Sequence, residues 1–176
     1  MKIYDITQEL FSCHVYPGDT PPSYKQVQSL NNGKDCNLTD ISMCNHNGTH
    51  IDAPAHYLKN GITIDQLPLD VFIGPATVCN QIPQHINTSR LLIKGPRELS
   101  EEEATSLAQS NLQLLGIEPQ SVGSPQVHRI LLSKGIILLE GLVLTDVPEG
   151  NYTLIAPPLK LGGLEGAPCR AVLIEK

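Results

Sequence analysis

Apolar residues along this chain come in short bursts divided by glycine and proline, and the spacing inside each burst separates strands from helices. Residues 71–79 and 90–94 are β-branched or leucine-rich and bounded by breakers, which predicts two core strands. Residues 136–147 and 167–174 predict further strands, with Glu149-Gly150-Asn151 as a hairpin turn between Val147 and Tyr152. The period changes at Ser100-Glu101-Glu102-Glu103. A capping box there starts a helix whose stripe of Ala104, Leu107, Ala108 and Leu112 runs toward a stop at Gly116. A second helix begins with Ser124 as N-cap and Pro125 at its first position, turns Val127, Ile130 and Leu131 inward, and ends before Gly135. Residues 2–10 are short and mixed, and Tyr16-Pro17-Gly18-Asp19-Thr20-Pro21-Pro22 reads as a loop of fixed shape.

Strands alternating with two helices, with no internal repeat or linker, predict one α/β domain over residues 1–176. Composition agrees: 40% hydrophobic and 17% charged residues suit a globular chain, while 14 glycines and 14 prolines predict many turns. A net charge of -6 with no cluster of Lys and Arg excludes a nucleic-acid face. No stretch approaches the roughly 20 apolar residues that cross a bilayer, and Met1-Lys2-Ile3-Tyr4-Asp5 lacks the basic start of a signal peptide, so a cytoplasmic protein is expected. Five scattered cysteines without a C-x-x-C pair predict free thiols.

The chemistry concentrates in residues 46–56. His46, His50 and His56 lie there with Asp52, and Gly48 and Pro54 shape the backbone between them. Imidazole and carboxylate together are ligands for a borderline divalent cation, and three such ligands plus an open position form a common catalytic site. The i, i+2 spacing puts His50 and Asp52 on one face of an extended segment. A bend at Gly48, which tolerates positive φ, would bring His46 to them, and Pro54 would hold His56 at a set offset. Glu140 ends the apolar run 136–139, where an acidic group is costly to bury unless it is paired or bound to metal. His14 and His85 read as surface or loop residues, and Arg170 as one half of a structural ion pair.

The run His46-Asn47-Gly48-Thr49-His50-Ile51-Asp52-Ala53-Pro54-Ala55-His56 matches H-x-G-T-H-x-D-x-P-x-H, and with it the chain resembles the bacterial cyclase family of kynurenine formamidase-like metal-dependent hydrolases. Tyr16-Pro17-Gly18-Asp19, Leu139-Glu140-Gly141-Leu142, Pro158-Leu159-Lys160-Leu161, Gly166-Ala167-Pro168 and Arg170-Ala171-Val172 extend the resemblance over nearly the whole chain. It implies a swivelling β/β/α-type single domain with a mixed sheet and few helices, forming homodimers or homotetramers. It also implies one or two divalent ions, zinc or manganese, held by His46, His50, Asp52, His128 and Glu140, with His56 as catalytic acid/base and Tyr16 binding substrate.

The expected reaction is hydrolysis of a small non-peptide amide, an N-formyl arylamine such as N-formylkynurenine or a cyclic amide, by water that the metal activates. A near-neutral histidine pKa suits His56 to take a proton and return it to the leaving amine. Two other readings share the same residues: a metal-dependent cyclase or dehydratase on a small carbonyl compound, and a non-catalytic metal- or ligand-binding homologue. His56, which is not needed as a ligand, weighs against the last. On the substrate side, Tyr16 stands where kynurenine formamidases carry Trp, and the stretch from Ile93 to His128 is shorter than theirs.

Overall fold

Leucine-rich runs buried on both faces form the centre of the fold. In the computed structural model, which describes residues 1–175, the strands are β1 (Lys2–Asp5), β2 (Ser23–Gln28), β3 (Leu38–Ser42), β4 (His50–Asp52), β5 (Ile73–Cys79), β6 (Arg90–Ile93), β7 (Leu114–Ile117), β8 (Ile137–Glu140), β9 (Gly150–Ile155), β10 (Gly166–Pro168) and β11 (Val172–Glu175). Helix α1 (Glu101–Leu107) connects β6 to β7, and α2 (Pro125–Ser133) connects β7 to β8. Nine strands form one mixed sheet in the order β1-β11-β9-β5-β6-β7-β8-β4-β10, parallel from β5 to β8 and antiparallel elsewhere. This is the expected α/β class with few helices.

The pleat divides the core in two. Leu92, Leu114, Ile137 and Leu139 face a cluster with Ile51, Phe72, Leu154 and Leu173, whereas Leu91, Leu115, Ile117 and Leu138 face the helices through Leu107, Val127 and Leu131. Because Ile51 points into the first cluster, its neighbours His50 and Asp52 turn toward the side of the sheet that carries α2. Register places His50 opposite Glu140.

Both helix starts follow the expected chemistry. Ser100 accepts from the Glu103 N–H while Glu103 reaches back to the Ser100 N–H, and Ser124 accepts from the Val127 N–H with Pro125 in the first turn. The end of α1 differs from expectation: it stops at Leu107, and Gly116 lies inside β7. Ser110 bonds the Leu107 carbonyl and the Leu112 N–H, offering the backbone an alternative to another helical turn, and Leu112 is buried from an irregular segment instead. The expected strand over 136–147 ends at Glu140, where Gly141 takes φ 68°. The expected 167–174 strand is broken between β10 and β11. Glu149-Gly150-Asn151 makes no hairpin with the preceding run, because β9 pairs with β5 and β11.

Residues 2–10 contain the edge strand β1, paired with β11. An unforeseen second sheet, the β2–β3 hairpin, leaves every one of its strand residues exposed. The five cysteines are free thiols. Arg170 pairs with Asp5 at 2.6 Å on the surface, the structural role expected of it. Among the described residues no helix is long and apolar enough to cross a membrane.

Candidate metal centre

Residues far apart in sequence meet on the α2 side of the sheet at the end of β8. Gly48 bends with φ 67°, as its place in the motif predicts, and the chain then enters β4 with His50 and Asp52 on one face. Pro54 opens a single helical turn that ends at His56. From the other half of the chain, β8 delivers Glu140 and α2 delivers His128 from its buried side. All six sequence-predicted polar residues therefore converge. Asp52 is at the middle: its Oδ1 lies 2.9 Å from His46 Nδ1 and 3.4 Å from His50 Nε2, and its Oδ2 lies 3.7 Å from His128 Nε2 and 3.9 Å from His56 Nε2. Glu140 spans His50 Nε2 and His128 Nε2, each at 3.3 Å.

The far side of two imidazoles is fixed by the backbone. His50 Nδ1 donates to the Gly48 carbonyl at 2.9 Å and His128 Nδ1 to the Ser124 carbonyl at 3.0 Å, which leaves both Nε2 atoms for the centre. The Val122 N–H donates to Glu140 Oε1 at 2.6 Å. His46 turns its Nε2 toward Glu165 Oε1 at 3.4 Å, and Asn45 donates to the same carboxylate oxygen.

Asp52 is fully buried, and although ring nitrogens surround it, neither oxygen takes part in an aligned hydrogen bond. Buried carboxylate oxygens without a donor are costly, and a cation between them and the ring nitrogens removes that cost. Two donor groups can be drawn, His46-Asp52-His56 and His50-Asp52-Glu140, each with ligand atoms within 4.8 Å of one another. They share Asp52. The donor set therefore fits a divalent cation, with room for Asp52 to serve two; His56, expected only as acid/base, also lies within reach of the first group.

Electrostatics sort the histidines. Burial opposes the charged form of His50, but Asp52 and Glu140 outweigh it and hold its pKa at about 10. Burial also opposes protonation of His128, and Glu140 together with the Ser124 carbonyl raises its pKa nonetheless. Desolvation dominates at His56, where the Asp52 carboxylate does not make up for burial beside His46 and His128, and the pKa falls. For Asp52 burial works toward protonation, yet His46 and His50 lower its pKa well below the carboxylate range.

The four histidines and Glu140 line a cavity of about 160 Å3 with Tyr16, Asp19, Tyr57, Gln120 and Ser121. Tyr16 joins it from the exposed loop. The Tyr57 ring stacks on His128 at 4.3 Å and meets His56 edge-on at 4.4 Å. Tyr16, Gln120 and Ser121 also border a wider groove of about 690 Å3, whose rim includes His14, Pro96 and Glu98. His14 and His85 are exposed and outside the cluster, as expected. Tyr57, Gln120 and Glu165 were not anticipated from sequence. Position offered one signal for Gln120, which lies three residues past the end of the buried parallel strand β7, where such folds place their sites.

The sequence matches the cyclase family over residues 4–106. It is 34% identical to a kynurenine formamidase of Salinibacter ruber, in an alignment of 206 positions covering 98% of this chain and 97% of that protein. Since 206 exceeds the 176 residues here, at least 30 of those positions have no counterpart in this chain. Two solved structures, each 29% identical, share the fold: a potential metal-dependent hydrolase with cyclase activity (TM-score 0.83, covering 98% of this chain and 96% of that one) and a predicted metal-dependent hydrolase from Bacillus stearothermophilus (TM-score 0.79, 98% and 97%). A family match over more than half of the chain, joined to a full-length relative, makes the chain a member of the cyclase family.

Proposed function

We propose that this chain is a metal-dependent amidohydrolase acting on a small non-peptide amide, an N-formyl arylamine or a cyclic amide. The observation that carries the proposal is Asp52, a buried carboxylate with no aligned hydrogen bond, facing ring nitrogens of four histidines. The name of the Salinibacter ruber relative supports the formamide class. His46, His50, Asp52, His128 and Glu140 would hold one or two ions, and the three imidazoles favour zinc or manganese over magnesium. A bound divalent ion lowers the pKa of its water to about 7 and polarises a carbonyl oxygen.

The protein's own groups do the rest. His56, whose pKa is lowered, is neutral at pH 7 and can accept a proton at Nε2 and return it to the departing amine. Tyr57 restricts the motion of His56 and His128 by packing against both rings. The small cavity fits the scissile group, and the wider groove beyond Tyr16 and Gln120 receives the remainder of the substrate. We place the enzyme in the cytoplasm as one domain over residues 1–176, assembled as a homodimer or homotetramer. The fully exposed β2–β3 hairpin supports assembly, because a two-stranded hairpin is at best marginally stable alone in water.

Elemental analysis of the purified protein, followed by assays on N-formylkynurenine and simple formanilides, tests the proposal. Metal with turnover of either substrate is expected. Metal with no turnover of N-formylkynurenine, of the formanilides or of a cyclic amide assayed beside them would overturn the amide class.

A further inference from the structure

Gln120 offers no ligand atom, yet its side chain is buried against the ligand segment. Its Nε2 donates to the Gly48 carbonyl at 2.6 Å and the His46 carbonyl at 3.0 Å. Backbone carbonyls only accept, so the amide cannot be flipped. Its Oε1 accepts from Gln8 Nε2 at 3.1 Å, and Gln8 Nε2 donates in turn to the Gly141 carbonyl at 2.9 Å. The Gln8 Oε1 accepts from the His14 N–H, which fixes the second amide as well.

Two consequences follow for His50. The Gly48 carbonyl held by Gln120 is the same one that receives His50 Nδ1–H, so Nδ1 keeps its proton and Nε2, facing Asp52 and Glu140, is the nitrogen left to a metal. Gln120 Nε2 lies 3.2 Å from His50 Nδ1, but with both hydrogens committed to carbonyls it does not donate there and does not favour the opposite tautomer. The two glutamines also tie the loop before β4 to Gly141, the residue after the ligand Glu140. Packing at this junction is tight: a Cβ on Gly141 would lie 2.5 Å from the Gly48 carbonyl oxygen and 3.0 Å from Gln120 Oε1.

We propose that Gln120, supported by Gln8, is a positioning residue that sets the His50 tautomer and holds the two halves of the metal centre in register. The inference rests on the metal reading given above. Outer partners of metal-binding histidines are worth roughly 10–100-fold in metal affinity.

The test uses the full chain and Zn2+ alone, with affinity measured by competition against a chromophoric chelator for the wild type, Gln120→Leu and Gln120→Glu. The glutamate keeps an acceptor for Gln8 and loses both donors. Each variant should bind Zn2+ roughly 10–100-fold more weakly, with a metal-free unfolding midpoint that shows it is folded. Nitrogen NMR of the zinc-loaded wild type should show the His50 proton on Nδ1 and slowed exchange of both Gln120 amide protons. Zinc affinity within twofold of wild type in a folded variant overturns the inference while leaving the metal reading intact. Should neither variant fold, a His50 proton on Nε2 in the wild type overturns it, and the Nδ1 proton with protected Gln120 amides upholds it. Absence of zinc uptake by the wild type removes the metal reading and this inference together.

Discussion

Gly166→Ala is a steric test of the site that spares its chemistry. Gly166 sits in β10 opposite Asp52, and its φ lies outside the left-handed region, so alanine brings no backbone strain there. A Cβ at that position would lie 2.6 Å from His46 Cε1, 3.0 Å from His46 Nε2 and 2.8 Å from the Ile51 carbonyl oxygen. Carbon atoms rest at about 3.5–4.0 Å, so the ring or the strand must move by about 1 Å. The Ile51 carbonyl belongs to β4, which is held on its other side by β8, and the imidazole yields first. Overpacking of this size costs about 1–3 kcal/mol, and each kcal/mol lowers the unfolding midpoint of a chain this long by about 2–4 °C. A displacement near 1 Å at a reacting centre can cost about 100-fold in rate. Formanilide turnover and metal content, measured well below the unfolding midpoint, should both fall. A folded Gly166→Ala protein with wild-type metal content and turnover would refute the placement of His46 in the centre.

Other substitutions and conditions separate the roles of neighbouring groups. His56→Ala should keep its metal and lose roughly 10²–10⁴-fold in turnover, as expected for a lost proton carrier; loss of an ion on elemental analysis would instead put His56 in the donor set. In metal-free protein, the raised His50 pKa contributes stability that is full below about 6.5 and is lost as pH rises toward about 10. The chelator-treated protein should therefore melt at progressively lower temperature from pH 7 to pH 10, and a midpoint that rose over that range would contradict the carboxylate cage around His50. Leu131→Ala, in the fully buried face of α2, should cost about 2–5 kcal/mol without changing metal stoichiometry in the folded fraction; calorimetry and elemental analysis check the two halves of that statement.

The candidate metal centre was legible because its residues obey local rules. Two-residue spacing put His50 and Asp52 on one face, Gly48 supplied the bend, and an acidic residue closing an apolar strand marked Glu140. His128 needed the family pattern, since a single histidine on an amphipathic helix carries no distinguishing local signal. Tyr57 and Glu165 went unread and Gln120 showed only its place past a buried strand, because their main partners are distant in sequence: Gln120 bonds carbonyls more than seventy residues away, Tyr57 stacks on His128 and Glu165 faces His46. The same limit applied to the fold. A capping box located the start of α1, and the Ser124 N-cap with Pro125 located that of α2, but Ser110 ended α1 early and tertiary pairing took Leu114–Ile117 into the parallel sheet. The β2–β3 hairpin escaped notice because its polar composition has no buried face to impose strict alternation.

A divalent ion held around Asp52 is proposed to make this chain an amide hydrolase. The most direct test is the initial rate of formanilide or N-formylkynurenine hydrolysis by chelator-stripped protein as Zn2+ or Mn2+ is restored in known amounts per chain. No turnover is expected without metal, with a rate that climbs with bound ion to a plateau at one or two per chain. Full turnover by verified metal-free protein would contradict the proposal.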